Sequence, residues 1–154
     1  MTVEVLDDRM ILVPEETAAG LIFYPGGKVE YTAYAPLMAQ LAEQNVLCVL
    51  LEMPLNLAVL DMDAARGIPE QFPEVEHWYL AGHSLGGSMA AAFAGKCADT
   101  YDGLILLAAY STEDLTETGL RVCGLYGDRD GVSTLEPGAQ IQWTAGKILE
   151  FISN

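Results

Sequence analysis

Apolar residues in this chain fall into short unbroken blocks, and between them the hydrophobic positions recur at helical spacing. Strand-length blocks occur at residues 10–13, 20–24, 46–51, 77–81, 103–109 and 121–126. The run Val-Leu-Cys-Val-Leu-Leu at Val46–Leu51 contains no polar residue. A strand with one wet face would alternate, so an uninterrupted run predicts burial on both faces. The intervening segments read as helices: 34–44, with Leu37, Met38 and Leu41 inward and Pro36 in the first turn, then 84–98 and 139–152. In the last of these, Ile141, Ala145, Ile148, Leu149 and Ile152 form the inward stripe. Shorter helices are predicted at 55–61 and 64–71, broken by Gly67 and Pro69. Buried strands alternating with helices predict an α/β fold, a three-layer doubly wound sheet of about six mostly parallel strands. With no internal repeat visible, residues 1–154 are expected to form one domain.

The chemistry gathers where strands end, because an open parallel sheet collects reactive groups beyond its C-terminal strand ends. The fourth block runs into Gly82-His83-Ser84-Leu85-Gly86, a Gly-x-Ser-x-Gly turn followed by an Ala-rich helix. A serine hydroxyl is a poor nucleophile unless a tight strand-to-helix turn thrusts it outward, and flanking glycines leave room for that turn. The serine would then lie at a helix N-terminus, where N–H groups and the dipole favour developing negative charge. After the second block comes Pro25-Gly26-Gly27-Lys28, a glycine turn whose N–H groups can face the same crevice. Gly27 and Leu85 are therefore the predicted pair of oxyanion donors for attack by Ser84 on a carbonyl. Such loops are also often ordinary turns; the downstream serine turn favours the chemical reading.

After the last block comes Gly127-Asp128-Arg129-Asp130-Gly131. An acid there could hold and charge-balance an imidazole. Asp130 is the first choice, since Asp128 sits in the turn itself and can bond its own backbone. Glu113 and Asp114, after the preceding strand, are the weaker alternative, and a solvated turn using both Asp128 and Asp130 is the bland one.

Composition narrows the class further. The chain has 154 residues, 51% of them hydrophobic, with 7 basic against 22 acidic residues and a net charge of −15. That balance argues against nucleic acid or anionic membrane as partner and is otherwise explained by solubility. No apolar run reaches the roughly 18 residues of a membrane span, and residues 1–10 do not resemble a signal peptide. Cys48, Cys97 and Cys123 show no metal-ligand spacing and read as small apolar fillers. An odd number of thiols fits a reducing, cytoplasmic compartment.

In combination these segments resemble an α/β-hydrolase family, similar to bacterial esterase and dienelactone-hydrolase-like serine hydrolases. The matching stretches are 20–31, 46–54, 78–90, 102–111 and 126–132, with 141–152 as the terminal helix. The resemblance implies Ser84 as nucleophile, Asp130 as triad acid and Gly27 with Leu85 as the oxyanion hole. It implies a small acyl substrate, such as a carboxylic ester, and no metal or organic cofactor.

One part of that pattern is missing. The family places one more strand after the acid, then a loop bearing the catalytic histidine, then the last helix. Here only residues 132–138 separate Gly131 from that helix. Seven residues cannot hold a strand of about five residues with two connections. The final strand and its histidine are therefore expected to be absent, a C-terminal shortening. The chain has two histidines, neither at that position. His77 opens the strand that ends at Ser84, roughly 20 Å from the serine at about 3.3 Å per residue. His83 precedes the serine, and in the resembled turn its side chain packs beneath the elbow. Lys28, if desolvated, is a weak substitute base.

Without an imidazole, a serine hydrolase keeps only the advantage of its oxyanion hole and binding. The alternative reading is a non-catalytic protein on the same scaffold, its crevice lined by Tyr24, Tyr110, Ser84 and the glycine loop. A third is a fragment whose natural gene product continues differently around 131–138. Loss of the last strand would leave 121–126 as a sheet edge that invites pairing with a second copy.

Overall fold

The computed structural model describes residues 1–109, 111, 114–116, 118–125 and 137–154. Its strands are β1 (Thr2–Val5), β2 (Arg9–Val13), β3 (Ala19–Tyr24), β4 (Val46–Leu51), β5 (Trp78–His83), β6 (Gly103–Leu107) and β7 (Arg121–Leu125). They form one mixed sheet in the order β1-β2-β4-β3-β5-β6-β7. The run from β4 to β7 is parallel, and the β1–β2 hairpin joins β4 antiparallel. All residues of β3 and β4 are buried, as their unbroken apolar sequence predicts.

The helices are α1 (Ala35–Ala42), α2 (Leu85–Lys96) and α3 (Pro137–Ser153). On one face α2 packs through Ala90, Ala91 and Ala94 onto Ile22, Leu80 and Leu104. On the other, α1 and α3 bring Leu41, Ala145 and Ile148 onto Leu21, Ala81 and Ile105. The strands thus alternate their side chains between two apolar layers, each buried large aliphatic contributing about 1.5–3 kcal/mol relative to exposure. Among the described residues no helix is long and apolar enough to cross a membrane.

Several boundaries differ from the sequence expectation. The hairpin adds β1 as a seventh strand; all four of its residues are exposed, so no apolar run announced it. Helix α1 starts at Ala35, after a 3₁₀ turn over Tyr31–Tyr34. Between β4 and β5 the chain makes 3₁₀ turns at Pro54–Asn56, Ala58–Asp61 and Pro69–Gln71 instead of two helices.

Strand β7 is the last in the order of the described strands. Its Cys123 and Leu125 pack into the α1/α3 layer, while Val122 on the opposite face is 46% exposed. Strand β3 sits between β4 and β5, so the sheet order reverses there, and Tyr24 is in register with Gly82. The segments following β3 and β5 consequently leave the same rim side by side, where a crevice forms in such sheets.

Candidate active site

Ser84 has φ +53° and ψ −123° and is exposed. An L-residue rarely adopts that backbone, and the surroundings must impose it at a cost of about 1–3 kcal/mol. Two hydrogen bonds do so: the Ser84 N–H donates to the Leu107 carbonyl at 2.9 Å, and the Ser88 N–H donates to the Ser84 carbonyl at 3.1 Å. The glycines on either side permit the bend. A Cβ at Gly82 would lie 2.6 Å from Gly87 Cα, and one at Gly86 would collide with the Tyr24 and Pro25 carbonyls. The first turn of α2 therefore lies directly against the ends of β5 and β3.

The glycine loop meets the same turn. A Cβ at Gly27 would lie 3.2 Å from Leu85 Cδ2, so these two residues are in contact. The loop's other donors are engaged or missing. Pro25 has no N–H, the Gly26 N–H donates to the Tyr34 hydroxyl at 3.0 Å, and the Lys28 N–H donates to the Asn56 carbonyl at 2.7 Å. Among the described residues neither Gly27 nor Leu85 has an acceptor for its N–H.

Both histidines lie in other company. The His83 Nδ1 is 2.8 Å from the Tyr34 hydroxyl, with ring centroids 5.7 Å apart. Burial lowers its pKa and so favours the neutral ring. Burial also raises the Tyr34 pKa, keeping its proton in place. His77 precedes β5 at the opposite rim, where its Nδ1 lies 2.7 Å from Asp102 Oδ2 in an exposed pair.

Asp130, together with Asp128, Glu113 and Tyr110, lies outside the described residues. Asp114 is described and works locally: its Oδ1 accepts from the Thr116 N–H at 3.0 Å and the Thr116 hydroxyl at 2.6 Å. These bonds hold its carboxyl below the usual range. Tyr24 does not line the crevice. It is fully buried beneath the sheet, and its hydroxyl donates to the Met62 carbonyl at 2.7 Å. Lys28 is exposed, with φ +60°.

Beside the elbow, on the α1/α3 face, is a cavity of about 290 Å³. Its walls include Tyr34, Leu37, His83, Leu107, Leu125 and Ile141. Sequence reasoning missed Tyr34, which touches both the glycine loop and His83; nothing in its spacing from either signalled that role.

Comparison with known proteins bears on the family and the fold. The model of the alpha/beta hydrolase family matches residues 20–143. None of the curated proteins compared with the chain matches it. Among solved structures, TT1662 from Thermus thermophilus superposes with a TM-score of 0.69 at 10% identity, over 99% of this chain and 98% of that one. A thermostable carboxyl esterase from Bacillus coagulans gives 0.57 at 16% identity, covering 70% of this chain and 44% of its own. Est1E from Butyrivibrio proteoclasticus gives 0.56 at 18%, covering 70% and 50%. The chain thus spans half or less of the Bacillus and Butyrivibrio structures and nearly all of the Thermus protein.

Proposed function

Because this chain belongs to the alpha/beta hydrolase family, we propose that it is a serine hydrolase acting on a carboxylic ester or similar small acyl substrate. The observation that carries the reading is the exposed, positive-φ turn at Ser84 held against Gly27. In this reading the Ser84 oxygen attacks the substrate carbonyl, and the oxygen that becomes negative accepts from the Gly27 and Leu85 N–H groups. The ester C–O bond then breaks, the alcohol leaves with the proton that the Ser84 hydroxyl gave up, and the acyl group stays on Ser84 until water releases it as the acid and returns a proton to the serine. One donor at a helix start and one in the glycine loop stabilise that charge without reorganising. The 290 Å³ cavity, with His83 in its wall, has room for a small apolar acyl group. Asp130 remains the proposed triad acid.

Treatment with a fluorophosphonate probe tests this, with Ser84→Ala as the control. Stoichiometric labelling of the folded chain, lost in Ser84→Ala, is the expected result. An unlabelled folded chain would remove Ser84 as an activated nucleophile.

A second reading, a ligand-binding protein without turnover, is favoured by one observation. Each histidine already has a partner, His83 in Tyr34 and His77 in Asp102. Thermal stabilisation by a small carboxylate or carbonyl compound, with no hydrolysis of an activated ester, would support it. Rapid hydrolysis abolished by Ser84→Ala would exclude it.

A further inference from the structure

We propose that Tyr34 is a positioning residue, whose hydroxyl ties the glycine loop to the residue before Ser84 and so sets where the Gly27 N–H stands. The inference rests on the oxyanion reading above. One oxygen makes both connections. It accepts from the Gly26 N–H at 3.0 Å and lies 2.8 Å from His83 Nδ1. With the oxygen accepting from Gly26, the hydroxyl proton is free to donate to Nδ1, and a neutral imidazole then carries its own proton on Nε2.

The oxygen is itself held in place. Tyr34 closes the 3₁₀ turn that leads into α1, and its ring rests on Phe23 of β3 with centroids 4.8 Å apart. Phe23 pairs with Ala81 across the sheet, two residues before His83. The clamp is therefore braced on the same two strands whose ends it joins. Its tightness also explains the glycine at 26. A Cβ there would lie 2.8 Å from both the Tyr34 oxygen and His83 Nδ1. Gly27, the next residue, rests on Leu85. Moving the loop would carry the Gly27 donor away from the position opposite Leu85, and a misplacement near 1 Å is enough to cost a large part of such stabilisation.

Tyr34→Phe keeps the ring on Phe23 and removes only the oxygen. Fluorophosphonate kinetics then separate reversible binding (KI) from phosphonylation (kinact). Tyr34→Phe is expected to lower kinact by about ten- to a hundredfold with KI within twofold, while Tyr31→Phe, a hydroxyl lost on the same turn, leaves both unchanged. A kinact within twofold of the parent's, or a loss carried by KI, overturns the proposal. Gly26→Ala displaces the loop with Tyr34 intact and should reproduce the kinact loss; it serves if Tyr34→Phe does not fold.

Amide exchange of the parent and Tyr34→Phe gives a reading independent of reactivity. The Gly26 N–H should exchange at least tenfold faster in the variant, and the Gly27 and Leu85 amide resonances should shift together. Unchanged amides overturn the clamp. A parent chain that the probe never labels removes the nucleophile reading, and the amides still decide the clamp.

Discussion

The Ser84 N–H donates to the Leu107 carbonyl at 2.9 Å, so the serine turn hangs from the end of the neighbouring strand β6. The next residue of that strand's exit, Ala108, also has positive φ (+48°) and donates its N–H to the Leu125 carbonyl of β7 at 2.8 Å. The strand ends thus form a chain of bonds running from β7 through β6 to the elbow. Strain at Ser84 is sustained by the sheet rim as a whole.

Relief of that strain is measurable. Ser84→Gly should be more stable than Ser84→Ala by about 1 kcal/mol, the backbone strain released less glycine's greater freedom when unfolded. In a chain of this size that is roughly 2–4 °C in Tm. Equal thermal midpoints for the two variants would show that residue 84 is not strained.

Two glycine substitutions should move stability in opposite directions. Gly86→Ala forces a methyl onto the Tyr24 and Pro25 carbonyls and should destabilise by about 1–3 kcal/mol. Gly146→Ala, in the interior of α3 with nothing within 4 Å of the new Cβ, should stabilise by about 0.5–1 kcal/mol. Urea midpoints read both, and a Gly86→Ala chain as stable as the parent would contradict the close packing of the elbow against the loop.

Burial holds the His83 pKa below its ordinary value of 6.5. The unfolded chain therefore binds more protons than the folded one as the pH falls below about 6.5. The His83 contribution is fully present above that pH and is lost as the pH drops towards the folded-state value. Urea midpoints measured from pH 7.5 down to 5 should fall for the parent and fall less for His83→Gln. Parallel profiles would show that the ring does not titrate differently on folding.

His77→Ala should leave Ser84 labelling unchanged and cost at most about 1 kcal/mol, since the His77–Asp102 pair is exposed at the far rim. A large loss of probe reactivity would mean that His77 reaches the serine in a conformation other than this one.

The parallel core was legible because burial on both faces leaves no polar residue in strands such as Val46–Leu51. β1 was not, because its register with β2, Val5 opposite Met10, is set by hairpin closure and leaves every β1 residue exposed. The elbow announced itself through Gly82, Ser84 and Gly86, whose spacing is a local steric requirement. Tyr34 did not, because it meets Gly26 and His83 only once three elements are stacked. Tyr24, expected in the crevice, lies outside it. It ends β3 on the α2 face, where its ring and hydroxyl turn inward to Met62. The choice among Asp130, Asp128 and Glu113 rests on residues outside those described.

Tyr24 and Gly82 stand abreast, and each is followed three positions later by one of the contacting pair Gly27 and Leu85. Strand length therefore acts as a ruler for the rim. One residue inserted into β3 would advance the loop by about 3.3 Å, more than a hydrogen bond tolerates, and would turn every β3 side chain beyond the insertion to the opposite layer. Swapping loops onto this scaffold should thus be tolerated only when the count from strand end to glycine is preserved.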